Sequence, residues 1–307
     1  MQSVIPGWVR RQGAMNSSMK RYAPHILSLV MVFLLLGCGG LIKKATQPMV
    51  DNLTTAVMKQ TDPQLVRDGA PAYLLMADAL VEGSPDDPDA LLAAANLYSM
   101  YASAFVVGHD NARAAVLGAR ARDYAFRAAA VLKPRFGELA HKPYKEFAPV
   151  AADFEAGDER LLFLVISTWA AVVQANSGDY DQLADIAKIQ LLTERLLELD
   201  ETYFYGAPHL AMGSLHSILP PALGGNAAAA RKHFERALEI GEGRFLSAYV
   251  MYAEQYAKKT FDKELFVSLL KKVEETPAAV VPELTLVNTL AKQQAAELLA
   301  GADEYFD

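Results

Sequence analysis

The stretch Asp87-Pro88-Asp89-Ala90-Leu91-Leu92-Ala93-Ala94-Ala95-Asn96-Leu97-Tyr98-Ser99-Met100-Tyr101-Ala102-Ser103-Ala104-Phe105 decides the fold class. Its apolar residues Leu91, Ala94, Ala95, Tyr98, Ala102 and Phe105 return at three- and four-residue spacing, which puts them on one face of an α-helix. Asp87 reads as the N-cap, and Pro88 takes the first helical position, where its missing N–H is not needed. The same pattern runs outward in both directions. Alanine and leucine dominate, no segment alternates as a half-buried strand would, Gly178-Asp179 separates two helices, and Pro277 follows another. Lys133 to Gly157, with Pro134, Pro143 and Pro149, is the least regular stretch and reads as a loop or broken helices.

The helices come in pairs, each close to a repeat of two antiparallel helices. Asp89 to Phe105 pairs with Asn111 to Leu132, which carries Phe126, Ala129 and Pro134 at the aromatic, small and terminating places. Arg160 to Asn176 pairs with Tyr180 to Leu199. Tyr205 to Leu219 pairs with Asn226 to Ile240, where Ala230, Phe234 and Ala237 form an A-x3-F-x2-A core. Arg244 to Lys258 pairs with Asp262 to Glu275. The expected fold is all-α: a tetratricopeptide-like solenoid or superhelix of stacked antiparallel pairs with a concave binding face.

The N-terminus has a different character. Ile26 to Leu36 is an apolar run far short of the ~20 residues that cross a bilayer. Lys20 and Arg21 precede it and Gly37-Cys38-Gly39-Gly40 follows it, the three regions of a secretory signal. Leu35-Leu36-Gly37-Cys38 resembles the bacterial lipobox, which implies lipidation of Cys38, cleavage before it and a stable anchor of two or more acyl chains. Gly39 in place of aspartate resembles the pattern that sends lipoproteins to the outer membrane, so the body is expected on its periplasmic face. Residues 1–37 read as the signal peptide, 38–60 as lipidated tether and first-helix start, and 61–307 as the helical domain.

Removing residues 1–37 takes away four basic residues and no acidic one, carrying the formal charge from −7 to −11. An acidic surface argues against nucleic acid. Cys38 is the one cysteine, so the mature body has neither a disulfide framework nor a thiolate metal site. There is no GxGxxG, phosphate loop, G-x-S-x-G or HExxH, and neither catalytic residue nor cofactor is expected. His209 and His216 share a helix face, but two imidazoles fall short of a zinc site and suit a pocket wall or a cap better. Asp86, Asp87 and Asp89 suit helix initiation better than calcium, because Pro85 and Pro88 replace the glycine turn a calcium loop needs. Aromatics are the candidate ligand contacts: Tyr98, Tyr101 and Phe105 on one helix, Trp169, and Tyr205 from the Tyr203-Phe204-Tyr205 cluster. The competing reading for each is simple core packing. The turn Pro220-Pro221-Ala222-Leu223-Gly224-Gly225 is a further candidate for close backbone approach.

The lipobox, the run Ser84-Pro85-Asp86-Asp87-Pro88-Asp89 leading into Leu97-Tyr98-x2-Tyr101-Ala102-x2-Phe105, and Tyr205-Gly206-Ala207-Pro208-His209 followed by Pro220 to Gly225 together resemble the TatT proteins. These are tetratricopeptide-containing lipoproteins associated with tripartite ATP-independent periplasmic (TRAP) transporters. The resemblance implies an accessory component that partners the periplasmic solute-binding protein, assembles as a homotrimer and carries a pore-like cavity for a small hydrophobic ligand. An alternative is a tetratricopeptide scaffold for protein–protein interaction in envelope assembly, with an open polar groove. A third is an enzyme with a nonstandard site, which requires convergent titratable groups in a cleft.

Overall fold

The computed structural model describes residues 54–176, 185–219 and 224–306. The signal segment, Cys38, the Gly178-Asp179 break and the Pro220 to Leu223 part of the turn lie outside them. The chain divides into a unit of residues 1–56 and a unit from Val57 to Asp307, and the second carries the fold. Among the described residues every regular element is helical.

Sequence-visible caps set most helix starts. Asp62 accepts from the Gln64 and Leu65 N–H groups and opens α1 (Pro63–Gly83). Asp87 accepts from the Asp89 N–H and opens α2 (Pro88–Phe105), and Asp110 does the same with the Arg113 N–H for α3 (Asn111–Leu132). These side chains satisfy N–H groups that a helix cannot pair internally. The irregular stretch resolves into α4 (Pro134–Leu139), α5 (Tyr144–Phe147) and a 3-10 turn (Ala148–Asp153). It is no surface loop. Its prolines break the helix, yet Phe136, Phe147 and Phe154 turn inward and are almost fully buried, with Phe136 edge-on to each of the other two.

The next elements are α6 (Glu159–Ala175), α7 (Ile186–Asp200), α8 (Tyr203–Ile218) and α9 (Ala227–Gly241). They are followed by α10 (Leu246–Tyr252) with a π-helical turn (Ala253–Ala257), α11 (Lys263–Glu275), α12 (Thr285–Ala300) and α13 (Ala302–Phe306). Neighbours in sequence pack as neighbours in space: α1 on α2, α2 on α3, α3 on α6, α6 on α7, α8 on α9, and α11 on α12. Two apolar clusters result. The first is built by α1 to α7 around Leu91, Leu162, Ile166, Ile189 and Leu192, and the second by α8 to α13 around Phe234, Tyr252, Phe266 and Leu270. Helix α8 joins them, since Leu210 belongs to the second cluster while Leu215 packs on the first. At the far end α12 returns to touch α1, and Lys59 Nζ lies 3.2 Å from Glu283.

The expected helix pairs appear with shifted ends. The partner of α6 is seen over Ile186–Asp200, and its expected start at Tyr180 lies outside the described residues. The helix expected to run regularly from Tyr205 is instead left-handed through Gly206. The expected A-x3-F-x2-A core of α9 is buried as Ala230, Phe234 and Ala237, with no exposure. Gly213 of α8 lets the pair close: a Cβ there would sit 3.0 Å from the Phe234 ring. Asn288, fully buried on α12, accepts from the Leu246 N–H at 3.0 Å and donates to the Arg244 and Ala278 carbonyls at 2.9 and 3.1 Å. It thereby fixes the start of α10 to the last long helix.

Candidate ligand-binding site

Between α7 and α8 the backbone adopts a conformation that L-residues avoid. Phe204, Tyr205 and Gly206 have φ of 42, 59 and 81° in succession. Each non-glycine residue there costs roughly 1–2 kcal/mol, so the surroundings must enforce the turn. They do so by close approach. A Cβ on Gly206 would lie 3.1 Å from Ala237 Cα and 3.4 Å from Ile240, so only glycine seats α8 against α9 at this height. Thr202 donates through both N–H and hydroxyl to Asp200, tying the end of α7 to the turn.

The turn leaves a large ring at the surface. Phe204 remains 44% exposed. Tyr205 stacks on Phe245 at 5.9 Å, and Phe204 meets the same ring edge-on at 5.5 Å. Opposite, α9 ends in two positive-φ residues, Glu242 and Gly243, that bring Arg244 over the Tyr205 ring at 5.8 Å. The space enclosed is an open cleft of about 510 Å³, lined by Thr202, Phe204, Tyr205, Ile240, Arg236 and Arg244 with Glu239 and Glu242 at its edge. It has an aromatic floor and two guanidinium groups in its wall.

Arg236 bridges Glu201 at 2.5 Å and Glu239 at 3.0 Å, while Arg244 meets Glu242 at 3.1 Å. The Arg236 guanidinium, and after it His209, hold the Glu201 carboxyl down at about 2. Behind the cleft, Glu201 lies 3.0 Å from His209 Nε2, and His209 Nδ1 lies 2.9 Å from His233 Nδ1. Because the Glu201 carboxylate accepts, His209 donates from Nε2, and one proton is shared between the two Nδ1 atoms of His209 and His233. Burial, and then the neighbouring imidazoles of His209 and His216, push His233 down to about 4. His216 stacks on His233 at 5.8 Å and has its Nδ1 3.2 Å from the Gly224 carbonyl. Among the described residues no three such side chains are disposed to hold a metal ion.

The structure therefore brings Tyr205, His209 and His216 into one neighbourhood and places the other candidates elsewhere. Tyr98, Tyr101, Phe105 and Trp169 are all buried in the first cluster. The Tyr98 hydroxyl donates to Asp78 at 2.9 Å, and Tyr124 donates to the same carboxylate at 2.7 Å, with Arg120 2.9 Å away. Burial, reinforced by Asp78, pushes the Tyr98 phenol up to about 12. Tyr101 and Phe105 pack together at 5.7 Å. Trp169 Nε1 donates to Asp185 at 3.0 Å, with the buried Lys188 ammonium over its ring at 5.5 Å. These four side chains have core neighbours where a ligand contact needs open ring surface.

Phe204 entered the sequence reading only as part of the Tyr203-Phe204-Tyr205 cluster, and Arg236, Arg244 and His233 were not singled out there. A signal was present: Tyr-Phe-Tyr-Gly at a helix start without a capping side chain, where three rings cannot all turn inward.

A family model described as the TRAP transporter T-component matches residues 59–306, which is most of the chain. No curated protein matches it.

Proposed function

The chain belongs to the TRAP transporter T-component family, and from that premise we propose that it binds a small hydrophobic or amphipathic solute in the Phe204–Tyr205 cleft and docks the periplasmic solute-binding protein. The observation that carries the reading is the cleft itself: strained backbone holds an exposed aromatic ring beside paired guanidiniums, in a volume of about 510 Å³ that suits a small molecule. The role is one of binding and hand-over, with no chemistry performed on the solute. Anchoring through lipid on Cys38 at the periplasmic face of the outer membrane, and assembly as a homotrimer, belong to the same reading. No helix among the described residues is long and apolar enough to cross a membrane.

A tetratricopeptide scaffold is the second reading, favoured by the openness of the cleft. Solute uptake separates the two. In cells lacking this chain, uptake through the cognate permease falls at least several-fold and is restored by the wild type but not by Phe204→Ala/Tyr205→Ala. Uptake unchanged by the deletion, with envelope proteins mislocalised instead, would establish the scaffold.

A further inference from the structure

Helix α1 has two apolar faces, and the fold uses one. Leu74, Ala77 and Val81 point into the first cluster. On the other side Leu65, Leu75, Met76 and Leu80 stand 59, 70, 53 and 59% exposed. They lie on one helical stripe with the small residues Gly69, Ala72, Ala79 and Gly83 between them, at three- and four-residue spacing. Over 21 residues the stripe runs about 30 Å. An exposed apolar face of this length on a chain of −7 formal charge marks an interaction surface. The small residues let another surface come close to the helix backbone between the leucines.

The charges around the stripe select the occupant. Asp68 and Glu82 are exposed on the same edge, near opposite ends. The Asp68 carboxylate accepts only from the neutral Gln64 amide among the described contacts. The nearby guanidiniums of Arg120 and Arg127 are engaged by Asp78, and by Asp123 and the Pro85 carbonyl. A second copy packed antiparallel along the stripe would set Asp68 against the other copy's Glu82, and parallel packing would set each acid against itself; like charges so placed repel. A head-to-tail contact, as in a ring, would set both acids against another face of the same net-acidic chain, which offers no excess of lysine or arginine to meet them. An anionic lipid surface meets the same repulsion. We propose that the outer face of α1 is a docking surface for a partner protein presenting an apolar patch flanked by lysine or arginine, which would cover the leucines and meet Asp68 and Glu82.

The test takes the solute-binding protein as the partner and so rests on the reading above. A benzophenone side chain replacing Met76 in the full-length chain is photolysed in its own envelope, and binding of the purified solute-binding protein is measured for the wild type, Leu75→Glu/Leu80→Glu and Asp68→Lys. The substituted positions are exposed, and an unchanged melting curve verifies the fold. Expected are a cross-link to the solute-binding protein, at least tenfold weaker binding for the double variant, and weaker binding for Asp68→Lys that loses its difference from wild type as salt rises. A cross-link to a second copy of this chain or to phospholipid, or no cross-link, overturns the proposal. Binding that is intact in the double variant removes this surface and leaves the transport reading standing. Failure of the wild type to bind, with a cross-link to a different protein, retires the transport reading and keeps the surface only if the double variant also abolishes binding of that protein once purified.

Discussion

Single residues carry the strain and the charge of the site. Gly206 is held at φ 81° with Ala237 Cα where a Cβ would reach, so Gly206→Ala is expected to lower unfolding free energy by about 1–3 kcal/mol in denaturant melts. Asn288→Leu keeps the branched shape but strands the Leu246 N–H and two carbonyls, and should cost about 3 kcal/mol in the same assay. His233 makes stability depend on pH in a defined direction. Its folded value of about 4 lies below the 6.5 of an unperturbed imidazole, so the unfolded chain binds more protons between those limits. The contribution is complete above about 6.5 and drains away as the pH falls toward 4. Wild type should therefore lose more stability than His233→Asn between those two pH values, and equal slopes would refute the assignment.

Elements differ in how much of them the sequence displays. Helices α2, α3 and α11 lie within a residue or so of their expected ends because Asp87, Asp110 and Asp262 cap them locally. The Pro134 to Pro149 stretch shows its breaks in the sequence but not its destination, since a proline says that a helix stops and not that Phe136 and Phe147 then enter the core. The left-handed start of α8 is invisible for a related reason. It is imposed by the approach of Gly206 to α9, some thirty residues later. Periodicity likewise identifies the aromatic face of α2, but cannot distinguish a Tyr98 hydroxyl reaching a ligand from one reaching Asp78 on the preceding helix. The α8–α9 pair gives a prediction of its own. Gly213→Val forces the Phe234 ring to move in a site with no free volume, and should destabilise by about 1–3 kcal/mol and loosen this pair first, seen as faster amide exchange in α9 than in α3.

At the scale of the whole molecule, one continuous stack of helix pairs holds two apolar clusters together through α8, and its last long helix meets its first. The cleft sits at the start of α8, the helix that joins the clusters. The central claim is that this cleft takes a small molecule. Native mass spectrometry of the chain starting at Cys38, purified without detergent, tests it most directly. The account predicts a co-purifying or added amphipathic ligand bound once per chain to the wild type and lost from Phe204→Ala/Tyr205→Ala, whose circular dichroism spectrum stays that of the folded helical chain. A chain that stays empty with every solute the transporter carries, or a ligand retained undiminished by that variant, would contradict it.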